Sequence, residues 1–328
     1  MASLRRSIGG ALLACVLAIP GWAAASDWPT HPVTMVAPFA AGGPLDMTAR
    51  LIAPRMSELL GQPMIIENVP GAGGMVGASR VARAAPDGYT ILYGNTATHI
   101  YSRFLSSKPL YDPIADFAPS GMLFSTYKVL IARRDLPAST LPAFIAYAKA
   151  NQASLQYGSG GAGSATHIAC LLLNAKMGTN ITHVPYRGAG PAIQDLVAGR
   201  IDFMCDVVST AIAQIRAGTV KPIAMLSNVR APVLPDLPTA REQGLADVDS
   251  DGWNALFFPK GTPSAIIRRV NAAAGEMLDT PTIRDRLVEL GIYGAAPAER
   301  SPEFLATLIV HELEKWGPPI KASGVAAK

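Results

Sequence analysis

From Val33 onward, short β-rich runs alternate with helical patterns, and three of the strand-to-helix junctions are dense in glycine. Val33 to Phe39, Met64 to Val69 and Thr90 to Thr96 read as strands. Between them lie a helical stretch from about Leu45 to Leu60 and a second that opens on a glycine cluster and runs through Ala84. A strand–helix–strand–helix–strand series of this kind predicts a parallel sheet covered on both faces.

The middle of the chain repeats the theme. Leu155 to Tyr157, Ile181 to Val184, Ile201 to Val207 and Val220 to Leu226 read as strands. Helical patterns fall at Leu141 to Ala150, Ser164 to Met177, Gly190 to Ala198 and Ser209 to Ala217. These units predict a second, similar sheet. Prolines between Leu234 and Pro238 mark a crossing, Pro238 to Gln243 predicts a short helix, and Asn254 to Phe258 a strand. Ile266, Val270, Ala273, Ala274 and Met277 recur at amphipathic helical spacing within Pro263 to Leu278. A last helix has Ser301 as N-cap and Pro302 in its first turn, with Leu305, Leu308, Ile309, Leu313 and Trp316 on one face. Two α/β units predict two lobes with a cleft, and ligands of such sheets bind beyond the carboxyl ends of the strands, where helix N-termini point.

The first 25 residues have a different character. Arg5 and Arg6 precede an apolar run from Ala11 to Ile19, then Pro20 and small residues at Ala23, Ala24 and Ala25. That is the layout of a secretory signal peptide cleaved near Ala25; the run is too short to span a bilayer. A lipoprotein signal ending at Cys15 is the rival, but it leaves a second apolar stretch on the mature chain. Lys and Arg number 28 against 24 Asp and Glu, and loss of Arg5 and Arg6 leaves 26 against 24. A balanced chain without a basic run carries no nucleic-acid footprint. Export also bears on the cysteines, since Cys170 and Cys205 remain once Cys15 is removed. They form either one disulfide, worth roughly 3–4 kcal/mol on a chain-entropy argument, or two separate buried thiols.

Two glycine turns carry the binding chemistry. Phe39-Ala40-Ala41-Gly42-Gly43-Pro44-Leu45-Asp46 feeds a helix start where partial positive charge collects, with Asp46 placed to cap it. Gly158-Ser159-Gly160-Gly161-Ala162-Gly163-Ser164-Ala165-Thr166-His167 offers free amides with hydroxyls at Ser159, Ser164 and Thr166, a nest for a carboxylate. A third turn, Gly71 to Gly77, lacks dinucleotide spacing, and no acid ends the next strand, so helix packing accounts for it. Ser159 fails the nucleophile-elbow pattern, the five histidines are scattered, and His311-Glu312 lacks a second zinc histidine. No metal, cofactor or enzyme site is expected. An exported hydrolase using Ser159 or Ser164 with His167 is the distant alternative, and it lacks an orienting acid.

The stretches Pro38 to Pro44, Glu67-Asn68-Val69-Pro70-Gly71-Ala72-Gly73-Gly74, Pro86-Asp87-Gly88-Tyr89, Gly158 to His167, His183-Val184-Pro185-Tyr186-Arg187-Gly188 and Leu234-Pro235-Asp236-Leu237-Pro238-Thr239 resemble the Bug-type receptors of tripartite tricarboxylate transporters. The resemblance implies an α/β, two-lobe periplasmic-binding-protein (Venus-flytrap) architecture, each lobe a mainly parallel sheet flanked by helices. It implies one lobe from residues 26–124 and 232–328 and the other from 125–231. It also implies a monomer that hands a small carboxylate to a transporter of this type; a sensing partner is the alternative destination. Carried over position by position, Phe39, Ala40, Gly43, Leu45 and Asp46 face the ligand from one side, and Ser159, Gly160, Ser164, Thr166 and His167 from the other. Asn95, Arg187 and Asp206 are candidates for its distal end. Two departures stand out: Leu45 occupies a position where relatives often have threonine, and Pro54 falls inside the first helix, where it is expected to kink it or shift its start. Without that hydroxyl, and with Phe39 nearby, the pocket is expected to favour an apolar or aromatic acid over a hydroxylated one such as citrate.

Overall fold

A computed structural model describes residues 28–105 and 108–322; the expected signal segment, residues 1–25, lies outside the described residues. Strands β1 (Val33–Ala37), β2 (Met64–Asn68), β3 (Thr90–Asn95) and β4 (Phe117–Thr126) come first. They are followed by β5 (Lys128–Arg133), β6 (Gln156–Ser159), β7 (Thr182–Pro185) and β8 (Phe203–Val207). β9 (Val220–Met225), β10 (Gly252–Pro259) and β11 (Ile292–Gly294) complete the set. They form a six-stranded sheet in the order β11-β4-β10-β3-β1-β2 and a five-stranded sheet in the order β7-β6-β8-β5-β9.

Each sheet is parallel in one half and antiparallel in the other. β1 runs parallel to β2 and β3, and β6 parallel to β7 and β8. β10 lies antiparallel to β3 and β4, and β5 antiparallel to β8 and β9. The mainly parallel sheets expected from the βαβ pattern are therefore mixed. The cause is topological. β4 leaves the first sheet at Thr126 and β5 begins the second at Lys128, so no crossover helix intervenes to return the chain parallel to its neighbours. The return from β9 to β10 is the second crossing.

Helices cover both faces of both sheets. α1 (Pro44–Leu60) follows β1, α2 (Met75–Ala82) follows β2, and the short α3 (Ser102–Leu105) follows a π-turn after β3. In the second unit α4 (Leu141–Asn151), α5 (Ala165–Met177), α6 (Ala189–Val197) and α7 (Val208–Arg216) alternate with strands. α8 (Ser264–Asp279), α9 (Pro281–Glu289) and α10 (Pro302–Ala322) return to the first. Ile52, Met56, Val270 and Met277 of α1 and α8 pack one face of the first sheet. Val81, Leu305 and Trp316 of α2 and α10 pack the other. Phe144, Cys170 and Leu173 fill one face of the second sheet, and Ile193, Leu196 and Ile212 the other. Doubly covered strands explain the near-continuous burial of β5 and β8.

Several local expectations change. Pro54 sits within α1, which starts at Pro44 and runs unbroken to Leu60, so the expected shift of the start does not occur. Pro238 to Gln243 is a turn: Thr239 and Glu242 bond each other's backbone amides as a capping box does, but Gly244, at φ +91°, follows within one turn. α9, β4 and β5 carry no expectation from the sequence. Cys170 and Cys205 are joined as a disulfide between α5 and β8. Among the described residues no helix is long and apolar enough to cross a membrane.

Candidate ligand-binding cleft

Glycine-rich turns of the two lobes meet across the cleft, the third turn against the second and the first against the start of α6. A Cβ built on Gly73 lies 2.7 Å from the Ala162 carbonyl oxygen, and one on Gly190 lies 3.2 Å from that of Gly42. One on Gly188 lies 3.2 Å from the Ala40 Cβ. The lobes are closed on one another, and only glycine allows backbones this near.

Beneath this seam lies a cavity lined by Phe39, Gly43, Leu45, Asn95, Gly160, Ser164 and Thr166, together with several residues from the crossing strands. It has room for several waters or a small ligand in their place. The starts of α1, α5 and α6 all border it, through Leu45, Ala165 and Ala189. First-turn amides have no acceptor inside their own helix, so three helix ends direct partial positive charge at one space.

Part of the donor supply is already spent. The Gly42 amide donates to Asp46 Oδ2 at 2.9 Å, and Arg50 Nε holds the same carboxylate at 3.0 Å. Burial raises the Asp46 pKa, yet the bonds from Arg50 and Gly42 leave it below the ordinary value. Asp46 is thus a buried brace for the first loop; the N-cap of α1 is Gly43. In the second loop the Gly160 amide donates to Thr166 Oγ1 at 2.9 Å, and the His167 amide to Ser164 Oγ at 3.3 Å. Ser164 and Thr166 hydroxyls lie 3.1 Å apart. One of their two protons bridges them, which leaves the other for a ligand.

Of the thirteen ligand positions expected from the sequence, seven line this cavity and six do not. Ala40 packs on Gly188 in the seam. Ser159 is fully buried and bonds His183 Nε2 at 2.7 Å. His167 accepts from the Gly163 amide at 3.1 Å and stacks on His183 with ring centroids 4.0 Å apart, facing a separate groove. Desolvation holds His167 down at about 3, with a further contribution from His183, and desolvation holds His183 at about 4. Both rings are therefore neutral at pH 7. Arg187 is exposed at the outer mouth of the cleft, beside Phe39 and Gly160. Asp206 is buried behind Val207; its Oδ2 has no partner among the described residues, and burial pushes it up to about 6. Asn95 does line the cavity, but its Oδ1 accepts from Ala97 and Thr98 amides, so only its NH₂ faces a ligand. The Ser159–His183 pair has no carboxylate bonded to the histidine among the described residues.

The base of the cavity holds what the loop motifs do not reveal: Thr96, Thr126, Lys128, Gly252, Trp253 and Asn254. Lys128 is 1% exposed and its Nζ donates to the Ser250 carbonyl. The only signal for it is a lone lysine at the head of the apolar run Val129-Leu130-Ile131-Ala132. The third glycine turn packs as expected: a Cβ on Gly77 lies 2.7 Å from the Val69 carbonyl oxygen.

Residues 48–325 match the tripartite tricarboxylate transporter family receptor. The protein BugT of Bordetella pertussis is 30% identical over 97% of this chain and 98% of its own length. Among solved structures, MatC of Rhodopseudomonas palustris with bound malate is 42% identical with a TM-score of 0.87, covering 89% of this chain and all of its own. The periplasmic binding protein BugD is 35% identical with a TM-score of 0.89, covering 92% of this chain and 100% of its own.

Proposed function

Because this chain belongs to the tripartite tricarboxylate transporter receptor family, we propose that it captures a small organic carboxylate between its lobes and delivers it to a membrane transporter of that type. Membership of this receptor family and the likeness to the periplasmic binding protein BugD support a periplasmic binding protein in place of an enzyme. The observation that carries the carboxylate reading is the convergence of three helix N-termini on one cavity. An anion there gains from aligned dipoles and unspent amides together. MatC was solved with malate, a dicarboxylate, in the same fold.

In this reading Phe39, Gly43, Leu45, Gly160, Ser164 and Thr166 touch the proximal carboxylate and Asn95 the body of the ligand. Asp46, Ser159 and His167 shape the loops. Arg187 guards the mouth. The lobes divide near residues 125 and 232, residues 1–25 are removed on export, and the mature receptor works as a monomer. A thermal-shift panel of aliphatic, hydroxylated and aromatic mono-, di- and tricarboxylates tests it. A true ligand at 100 times its Kd adds about 2.7 kcal/mol of stability, and a panel without any shift overturns the carboxylate assignment. Deleting the gene is expected to abolish uptake of the acid that shifts; uptake at the parental rate overturns the delivery role.

A further inference from the structure

We propose that the mouth of the closed cleft is a docking groove for an acidic segment of the membrane transporter, with Arg187 as its anchoring cation. The proposal rests on the delivery reading above and gives that delivery a surface.

The groove lies outside the solute cavity. Phe39 and Gly160 border both spaces, so the Phe39 ring and the Gly160 backbone stand between them. The groove is also a product of closure. One rim is the turn Gly71 to Gly74, which follows β2 of the six-stranded sheet. The other is made by Gly160 to Ala162 and Pro185 to Arg187, at the ends of β6 and β7 of the five-stranded sheet. The rims touch where a Cβ on Gly73 lies 2.7 Å from the Ala162 carbonyl oxygen, and parting the lobes takes them apart. A solute on its way in meets open lobes, so it never finds this groove assembled. An occupant that does find it meets a receptor already shut, which is the state a transporter must tell from the open one.

The lining selects the chemistry of that occupant. Arg187 is the one charged residue among the described residues of the groove. It is exposed and makes no hydrogen bond or ion pair among the described residues. The carboxylates around the mouth are already taken. Asp195 accepts from Arg200 and from the Tyr186 hydroxyl, and Glu67 is held through both oxygens by Arg80. A free guanidinium offers a planar fork of donors that a carboxylate accepts in pairs. Phe39, Pro70, Pro185 and Tyr186 add apolar surface beside it, which suits a peptide chain bearing Asp or Glu. Anionic membrane surfaces are held by clusters of cations, and one arginine among glycines and prolines is not such a cluster.

Uptake by cells that lack the chromosomal gene and carry the full-length receptor tests this. The acid with the largest thermal shift is supplied at concentrations that saturate the receptor, so that affinity drops out of the rate. Arg187→Glu is expected to lower the maximal rate about tenfold or more at the parental receptor level, because it sets like charges against each other. Ala72→Asp places a carboxylate in the groove from the other lobe, at an exposed position whose φ of +46° aspartate tolerates. It is expected to slow uptake likewise, and it decides the matter where Arg187→Glu does not accumulate. Arg216→Glu makes the same charge change in the last turn of α7, outside the groove, and is expected to keep the parental rate. A parental maximal rate in Arg187→Glu, or an equal loss in Arg216→Glu, overturns the groove. So does a raised half-saturating concentration with the maximal rate kept, which makes Arg187 a collector of solute. Co-flotation of the parent with phosphatidylglycerol–phosphatidylethanolamine vesicles that Arg187→Glu loses assigns the groove to a lipid phosphate and overturns it too. Absence of uptake with the parent removes the delivery reading itself, and the groove with it.

Discussion

Closure over the cavity depends on Gly73, and its replacement by alanine separates the open from the closed state. Gly73 has φ +65°, and a Cβ there meets the Ala162 carbonyl oxygen at 2.7 Å and the Gly163 carbonyl carbon at 2.9 Å. Both are backbone atoms of the opposite lobe, which no side-chain rotation can move aside. Ordinary contact needs 3.4 Å or more, so the lobes must part by about 0.7 Å (3.4 less 2.7) for the methyl to fit. The left-handed φ costs alanine about 1–2 kcal/mol in open and closed forms alike. The clash exists only when the lobes are shut. Overpacking of this kind costs about 1–3 kcal/mol, which predicts a Kd weakened about 5- to 150-fold.

Gly178→Ala isolates the strain. Gly178 has φ +68° at the C-cap of α5, and its Cβ would meet nothing within 4 Å. It is expected to lower the melting temperature with Kd unchanged, whereas Gly73→Ala lowers the melting temperature and raises Kd. Calorimetry with the acid that gives the largest thermal shift measures Kd, and small-angle scattering of the liganded protein reports whether the lobes shut. A Gly73→Ala protein that binds as tightly as the parent, with unaltered scattering, refutes the assignment of this seam to the liganded state.

Acid should destabilise the fold through buried histidines, against a partial counterweight. Desolvation depresses His99 and His167 to about 3 and His183 to about 4. Their folded values lie below the ordinary 6.5, so the stability they contribute is complete above pH 6.5 and is lost as pH falls toward 4 and 3. Asp206 and Asp251 are raised by burial and act in the opposite sense, gaining folded protons below about pH 6. Three groups against two, with partly exposed His183 counting for less, leave a net loss of at most about 1.4 kcal/mol per pH unit between 6 and 4. Asp206→Asn removes one counterweight and is expected to steepen that slope in urea unfolding; an unchanged slope contradicts the sign assigned to Asp206. Reduction of Cys170–Cys205, which closes a loop of 35 residues, is expected to cost about 4 kcal/mol, and coincident unfolding midpoints with and without reductant refute it.

Local signals carried the loops. Phe39 to Asp46 and Ser159 to His167 are legible because a helix start behind glycine is written in consecutive residues, and three ends of this type border the cavity. The same signals misplace particular side chains. Ser159 and His167 sit in the right loop, yet Ser159 bonds His183 and His167 bonds Gly163. Whether a polar residue in such a loop faces the ligand or braces the loop depends on partners outside it, and His183 is 24 residues from Ser159.

The base of the cavity has no local signature at all. Thr126, Lys128 and Gly252 come from the ends of β4, β5 and β10, and Thr96 directly follows β3, so no period or motif joins them. β4 and β10 pair through two register irregularities, which blur the alternation a strand normally displays. The crossing strands must also be buried on both faces, which turns them into apolar runs where a single lysine reads as punctuation. The juxtaposition of these cavity residues is set by the meeting of the two sheets, which no run of consecutive residues records.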